Sequence, residues 1–325
     1  RFTPRAGALA AFALSMKARS RHRRFLDACV EPNICVVERV SFRQDELESL
    51  FVGDVPLEEQ SEFWNAFSSA DLYGALIRPN GDLVDRLTSA VPGLPHDIFF
   101  DDLAERADCV LRQAEYLSRE YDVVIANPPY MGAANMGPQL SEWIRTAYPR
   151  EKQDLYACFV ARALELIRHR GRVAMIIGDT WMTAKTSEKF RQEVLEGHGF
   201  DSFLHLDDVS NHPDIFGANA AFVLSTSRER NASPTTFIAL KPLSSEEKRQ
   251  QLLKAVVDRT VEWVHEVSVA QLQAVPGTPL SYWLSDAKRA VFVQGKRLDT
   301  LGSPRQGIKT GDNERFLRFW WEVDR

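Results

Sequence analysis

No apolar run in these 325 residues reaches the length of a membrane span, so the sequence holds no transmembrane helix and a membrane partner is not expected. Cysteine is scarce. Cys29, Cys35, Cys109 and Cys158 are the four in the chain, scattered without a metal-type spacing. They read as reduced core thiols and suit a cytoplasmic location. An excess of positive charge is missing as well. Lys and Arg number 40 against 45 Asp and Glu, a formal net charge of −5. That excludes a surface uniformly basic for nucleic acid, and any basic face must be local. Apolar content is not lacking: at 44% it can fill a full core, and the length allows one large domain or two smaller ones.

The most informative segment is Asn127-Pro128-Pro129-Tyr130, which directly follows the apolar run Tyr121–Ala126. The run reads as a buried strand, and the two prolines give it a reason to stop. Neither can donate to a ladder, and each fixes its own φ. Asn127, placed before Pro128, is pushed toward an extended conformation. The prediction is a rigid loop at the carboxyl end of a strand, the edge where open α/β sheets bind ligands. Its groups suit one kind of chemistry. An exocyclic amino group on a nucleobase is a poor nucleophile, because its lone pair is delocalised into the ring. The Asn127 side-chain carbonyl and the Pro128 backbone carbonyl are acceptors for its two N–H bonds. Held in fixed geometry, they favour a pyramidal nitrogen over the planar one. No charged base is needed for the attack, and positioning supplies much of the rest. Tyr130 offers a ring for stacking, worth roughly 1–3 kcal/mol. That offsets the cost, about a few kcal/mol, of flipping a base out of a duplex. The competing reading is a β-to-α turn with a chance proline pair.

Residues 122–130 resemble motif IV of the amino-group methyltransferases that use S-adenosylmethionine, especially the adenine-specific DNA enzymes. Residues 127–132, Asp154-Leu155-Tyr156 at a helix start, residues 171–177 and Thr180-Trp181-Met182 are similar in order and spacing to the PglX family, the adenine methyltransferases of BREX phage defence. Residues 276–283 and 306–316 resemble the same family, so the resemblance spans nearly the whole chain. It implies an α/β, Rossmann-like S-adenosylmethionine-dependent methyltransferase fold, truncated at its N-terminus, carrying a helical insertion and followed by the start of a target-recognition domain. It implies S-adenosylmethionine as cofactor, and double-stranded DNA and other phage-defence proteins as partners. Asn127, Pro128, Pro129 and Tyr130 would be catalytic, with Tyr130 and Phe216 sandwiching the flipped base. Asp71 and Glu38 compete as the carboxylate that meets the adenine end of the methyl donor. One part of the pattern is missing: a Gly-rich loop after the first strand, with a ribose-binding carboxylate after the second. By the family pattern these would precede Arg1. The final Phe319-Trp320-Trp321-Glu322-Val323 reads as mid-strand, so both ends are expected to be cut from a longer protein. The chain alone is expected to bind the methyl donor weakly and to be inactive.

The expected organisation is a partial methyltransferase domain over 1–240, with an acid-rich helical insertion at about 43–117, a helical connector over 241–300 and a recognition domain beginning at 301–325. A helix over 6–24 is apolar first and basic later (Lys17, Arg19, Arg21, Arg23, Arg24). Its basic end is read either as a phosphate contact or as a solvated helix end. Residues 33–37 read as a buried strand, and 57–64 and 103–117 have helical periodicity. The Gly-rich stretch 131–138 reads as a lid or DNA-contacting segment. Asp154 reads as an N-cap, alone or also contacting substrate, for a helix to about Arg168. Gly171 is expected to end that helix and launch a strand over 172–177. A helix over 187–195, strands over 203–206 and 220–226, an extended run over 235–243 and a helix over 246–267 follow. The alternation implies a mainly parallel, doubly wound sheet, with the two late strands forming an antiparallel pair.

Several readings stay open. His205, Asp207, Asp208, His212 and Asp214 form either a metal cluster or a polar surface loop. Their spacing matches no ligand pattern, and no metal is assigned. Gly311-Asp312-Asn313, flanked by Lys309, Arg315 and Arg318, is either a DNA-facing loop, with Lys309 and Arg315 as DNA contacts, or an ordinary hairpin. Two rival functions also stand: a methyltransferase for RNA or protein amino groups, and a catalytically incomplete DNA-binding component of a defence complex. The residues beyond Ser281 favour DNA.

Overall fold

Two prolines after one strand and a polar residue before another place the ends of the sheet. The computed structural model describes residues 4–28, 30–88, 98–206, 218–226, 234–240, 244–296 and 300–302. Its described strands are β1 (Tyr121–Ala126), β2 (Ile167–Gly178), β3 (Gly199–Leu206), β4 (Asn219–Ser225), β5 (Thr235–Ala239) and β6 (Val264–Val267). They form one sheet in the order β1-β2-β4-β3-β5-β6. β1 and β2 are parallel, as are β3 and β5. β4 runs antiparallel to both β2 and β3, and β6 antiparallel to β5. The carboxyl ends of β1, β2 and β3 and the amino end of β4 therefore share one edge.

Helices α1 (Pro4–Arg21), α2 (Gln44–Ser49), α3 (Leu57–Asn65), α4 (Ala70–Tyr73), α5 (Gly81–Thr88) and α6 (Ile98–Ser118) precede β1. Helices α7 (Pro138–Ala147) and α8 (Leu155–Leu166) link β1 to β2, and α9 (Glu188–Gly197) links β2 to β3. Helix α10 (Ser245–Val257) lies between β5 and β6, and α11 (Val269–Gln273) and α12 (Asp286–Gln294) follow. Among the described residues no helix is long and apolar enough to cross a membrane.

The helices before β1 pack on a core of their own, around Phe63, Trp64, Phe67, Leu87, Leu103 and Val110. A second core lies between the sheet and α8 and α9. Alternate residues of β2 (Val173, Met175, Ile177) point into it and meet Trp181, Phe190, Phe203 and Phe222, as a pleat of period two requires. Met136, Leu140, Ile144, Tyr148 and Cys158 join α7 and α8 to Leu76. Arg191 of α9 is 1% exposed and donates to the carbonyls of Trp181, Ala184, Gly277 and Thr278 at 2.6–3.0 Å. It thereby fixes the start of the 276–283 segment against the turn that follows β2.

Several expectations need correction. β1 is not buried: it is an edge strand of the described sheet, and Val123 and Ile125 are 52% and 77% exposed. Residues 33–37 form no strand and enter no ladder among the described residues; nearby, the Glu38 amide donates to the Gln113 side chain instead. β2 begins before Gly171, at Ile167, and α8 stops at Leu166. The ladder jumps from Tyr121–Ile167 to Val123–Arg172, so the intervening residues bulge. Arg170 takes φ 67°, and a Cβ at Gly171 would lie 2.8 Å from the Arg168 carbonyl, which is why glycine stands there. The helix expected over 246–267 ends at Val257, where Asp258 accepts from the amide and hydroxyl of Thr260. The following residues form β6, so the expected helical connector contributes a strand to the sheet.

Candidate active site

Asn127 and Tyr130 lie at the carboxyl end of β1, with Pro128 buried between them and Asn127 exposed. Among the described residues the Asn127 side chain spends its hydrogen-bonding groups on no other residue. The segment after the loop is tied to the start of α8. The Asp154 carboxylate accepts from the amides of Met131 (3.2 Å) and Tyr156 (3.3 Å), and the Leu155 amide donates to the Met131 carbonyl at 3.0 Å. Asp154 is thus the N-cap of α8 and also a clamp on the loop. Its burial raises its pKa, against these backbone donors, which lower it. The 131–138 stretch starts as a fixed turn: Gly132 bridges Asp154, and Ala133 donates to Gln153.

Tyr130 is 43% exposed, yet its phenol oxygen points inward. The hydroxyl donates to Asn219 Oδ1 at 3.0 Å and to the Ile176 carbonyl at 3.3 Å. Burial raises its pKa, which keeps it a donor. The Tyr156 ring meets that of Tyr130 at 6.0 Å and 81°, and the Tyr156 hydroxyl lies 3.2 Å from Thr180 Oγ1. Burial pushes the Tyr156 phenol up to about 12.

Next along the same edge, His205 is 9% exposed. Its Nε2 is 3.0 Å from Asp179 Oδ2 and its Nδ1 is 2.8 Å from the Tyr282 hydroxyl. A carboxylate only accepts, so Nε2 donates to Asp179. His205 therefore links the end of β2 to the 276–283 segment. Asp207, Asp208, His212 and Asp214, once grouped with it, lie outside the described residues, as do Phe216, Lys309 and Arg315.

Asp71 is exposed on α4, and Glu38 is half-buried beside α6. No hydrogen bond or ion pair among the described residues joins either to the Asn127 loop. The helix with the basic end stops at Arg21, and Lys17, Arg21, Arg23 and Arg24 are exposed. Sequence reasoning missed Asn219 and Asp179, and gave Tyr282 no role of its own. A usable signal existed for Asn219: a lone amide directly before the apolar run 220–224 of its strand.

A mixed α/β sheet with an Asn-Pro-Pro-Tyr loop at the carboxyl end of β1 is consistent with an α/β methyltransferase fold. The chain belongs to the Eco57I restriction-modification methylase family, whose model matches residues 3–212. It is 26% identical over 334 residues to the adenine-specific methyltransferase PglX of Lacticaseibacillus casei (strain Zhang), covering 98% of this chain and 28% of that protein. It is 28% identical over 355 residues to the adenine-specific methyltransferase BrxX of Escherichia coli O9:H4 (strain HS), with the same coverage of 98% and 28%. The chain thus spans little more than a quarter of the length of these curated relatives. Among solved structures, the type IIG restriction endonuclease BpuSI is similar over 76% of this chain and 33% of its own, at 13% identity and a TM-score of 0.41.

Proposed function

We propose that the chain is the base-gripping part of an adenine-specific DNA methyltransferase, which transfers the methyl group of S-adenosylmethionine to N6 of an adenine flipped out of the duplex. The observation that carries this reading is the Asn127 loop: its backbone is stiffened by two prolines at the carboxyl end of β1, and among the described residues the Asn127 amide is left unspent. The Asn127 carboxamide oxygen and the Pro128 carbonyl take the two N–H bonds of the amino group and draw its lone pair out of conjugation. Tyr130 takes the base on its ring. Asp154 holds the loop against α8 and stays out of the chemistry. Asp71 and Glu38 remain the candidates for the carboxylate that meets the methyl donor. A role in phage defence or restriction-modification, with double-stranded DNA and partner proteins, accords with the family to which the chain belongs.

The test uses the full-length protein with methyl-labelled S-adenosylmethionine and DNA, RNA and protein acceptors. Label is expected in DNA as N6-methyladenine, and Asn127→Ala should lower the rate by about 10²–10³-fold, the loss typical of one such hydrogen-bonding group. Label confined to RNA or protein would overturn the choice of substrate.

A further inference from the structure

Tyr130 does more than present a ring. A phenylalanine would offer a base the same stacking face, but it could not be held at its tip. An exposed aromatic side chain has two free torsions: a bond at its far end restrains the first, and the Tyr156 ring set edge-to-face against Tyr130 restrains the second. In this molecule the far end is bonded. The partner is Asn219, which is 3% exposed and opens β4. Because β4 runs against β2 and β3, its first residue stands where those strands finish, opposite Gly178 on one side and Leu206 on the other. Strand pairing on both sides fixes the Asn219 backbone, so its amide oxygen is a rigid anchor. The Tyr130 hydroxyl shares its hydrogen between that oxygen and the Ile176 carbonyl of β2. The ring that meets Tyr130 edgewise, Tyr156, is held in the same way, through its own hydroxyl to Thr180.

We propose that Asn219 is a positioning residue for base binding: it tethers the Tyr130 hydroxyl so that the ring stands ready at the Asn127 loop. The inference rests on the function proposed above, and the tether itself can be tested apart from that function.

Two measurements on the full-length protein decide it. In the first, tyrosine hydroxyls are acetylated with N-acetylimidazole and the peptides read by mass spectrometry. Tyr130 should react about threefold faster or more in Asn219→Ala than in the unmodified protein, the factor a single lost hydrogen bond gives, while Tyr116 reacts at the same rate in both. An unchanged Tyr130 rate would overturn the tether. In the second, methyl transfer to DNA is followed. Tyr130→Phe and Asn219→Ala should each lower kcat by about three- to tenfold, with KM for S-adenosylmethionine unchanged. The double variant should be no slower than Tyr130→Phe, which already removes the contact that Asn219→Ala removes. Multiplicative losses would mean that Asn219 acts only on the fold, and wild-type rates in Tyr130→Phe would end the positioning role. Tyr130→Phe removes one oxygen from an exposed ring, so it also guards against loss of folding in Asn219→Ala. Absence of DNA methylation in the unmodified protein would overturn the functional reading and the positioning role, while acetylation still decides the tether.

Discussion

The sheet presents two unlike faces to the Asn127 loop. On one, β2 buries Val173, Met175 and Ile177 beneath α8 and α9, with Trp181 at the centre. On the other, Ile125, Ala174, Ile176, Leu204 and Val223 line an open apolar groove of about 430 Å³ that runs up to Asn127. The same strands build both, so composition does not separate them; what differs is the layer packed above. The loop is therefore braced from one side only among the described residues. The stability of this chain should be concentrated on the covered face. Trp181 is 1% exposed and touches the rings of Phe190, Phe200, Phe203 and Phe222. Trp181→Ala should cost about 3–5 kcal/mol, the range for emptying a large aromatic site, as read by denaturant unfolding. A loss below about 1 kcal/mol, the size of an average point mutation, would show that the two faces carry comparable weight.

The covering layer also carries a pH dependence. Glu151, just before α8, is 6% exposed, and burial together with the neighbouring Glu193 pushes its pKa up to about 7 from 4.5. A carboxyl group with a raised folded pKa binds its proton more tightly when folded. Its contribution is whole below the ordinary value and is lost as pH rises through about 7. His198 nearby is lowered from 6.5 by burial. It acts in the opposite sense, losing stability as pH falls below that ordinary value. The measurement is therefore the difference between the unmodified protein and Glu151→Gln. Between pH 4.5 and 7 the unmodified protein should lose on the order of 2 kcal/mol relative to the variant. Parallel curves would show that Glu151 titrates as an exposed carboxylate.

What could be read from sequence was what depends on neighbours in the chain. The proline pair stops β1 by its own chemistry, and Asp154 caps α8 by reaching Tyr156 two residues on. The apolar spacing of α3 and α6 is likewise a local pattern. What escaped depends on distant residues. Asn219 meets Tyr130 across 89 positions, and Arg191 reaches carbonyls 86 and 87 positions away. An arginine in a charged helix reads as a solvent-facing residue until those carbonyls converge on it. The burial of β1 failed for the same reason: apolar composition says that a strand can be covered, not that a layer lies over it. The stretch after Val257 failed because the short strand β6 exists only through its pairing with β5.

The smallest expected effect tests the open face directly. Ile125 is 77% exposed in the groove, so little apolar surface is at stake, and the strand is supported by its ladder with β2. Ile125→Thr keeps the β-branched shape that suits a strand. In this chain it should shift the unfolding free energy by no more than about 0.5 kcal/mol, the range of ordinary surface substitutions. A loss above about 1 kcal/mol, typical of a buried residue, would mean that the groove is covered in solution. Repeating the substitution in the full-length protein sharpens the contrast. A small effect in this chain and a large one there would locate the second layer in the additional residues, and would make the brace on the Asn127 loop two-sided only in the longer protein.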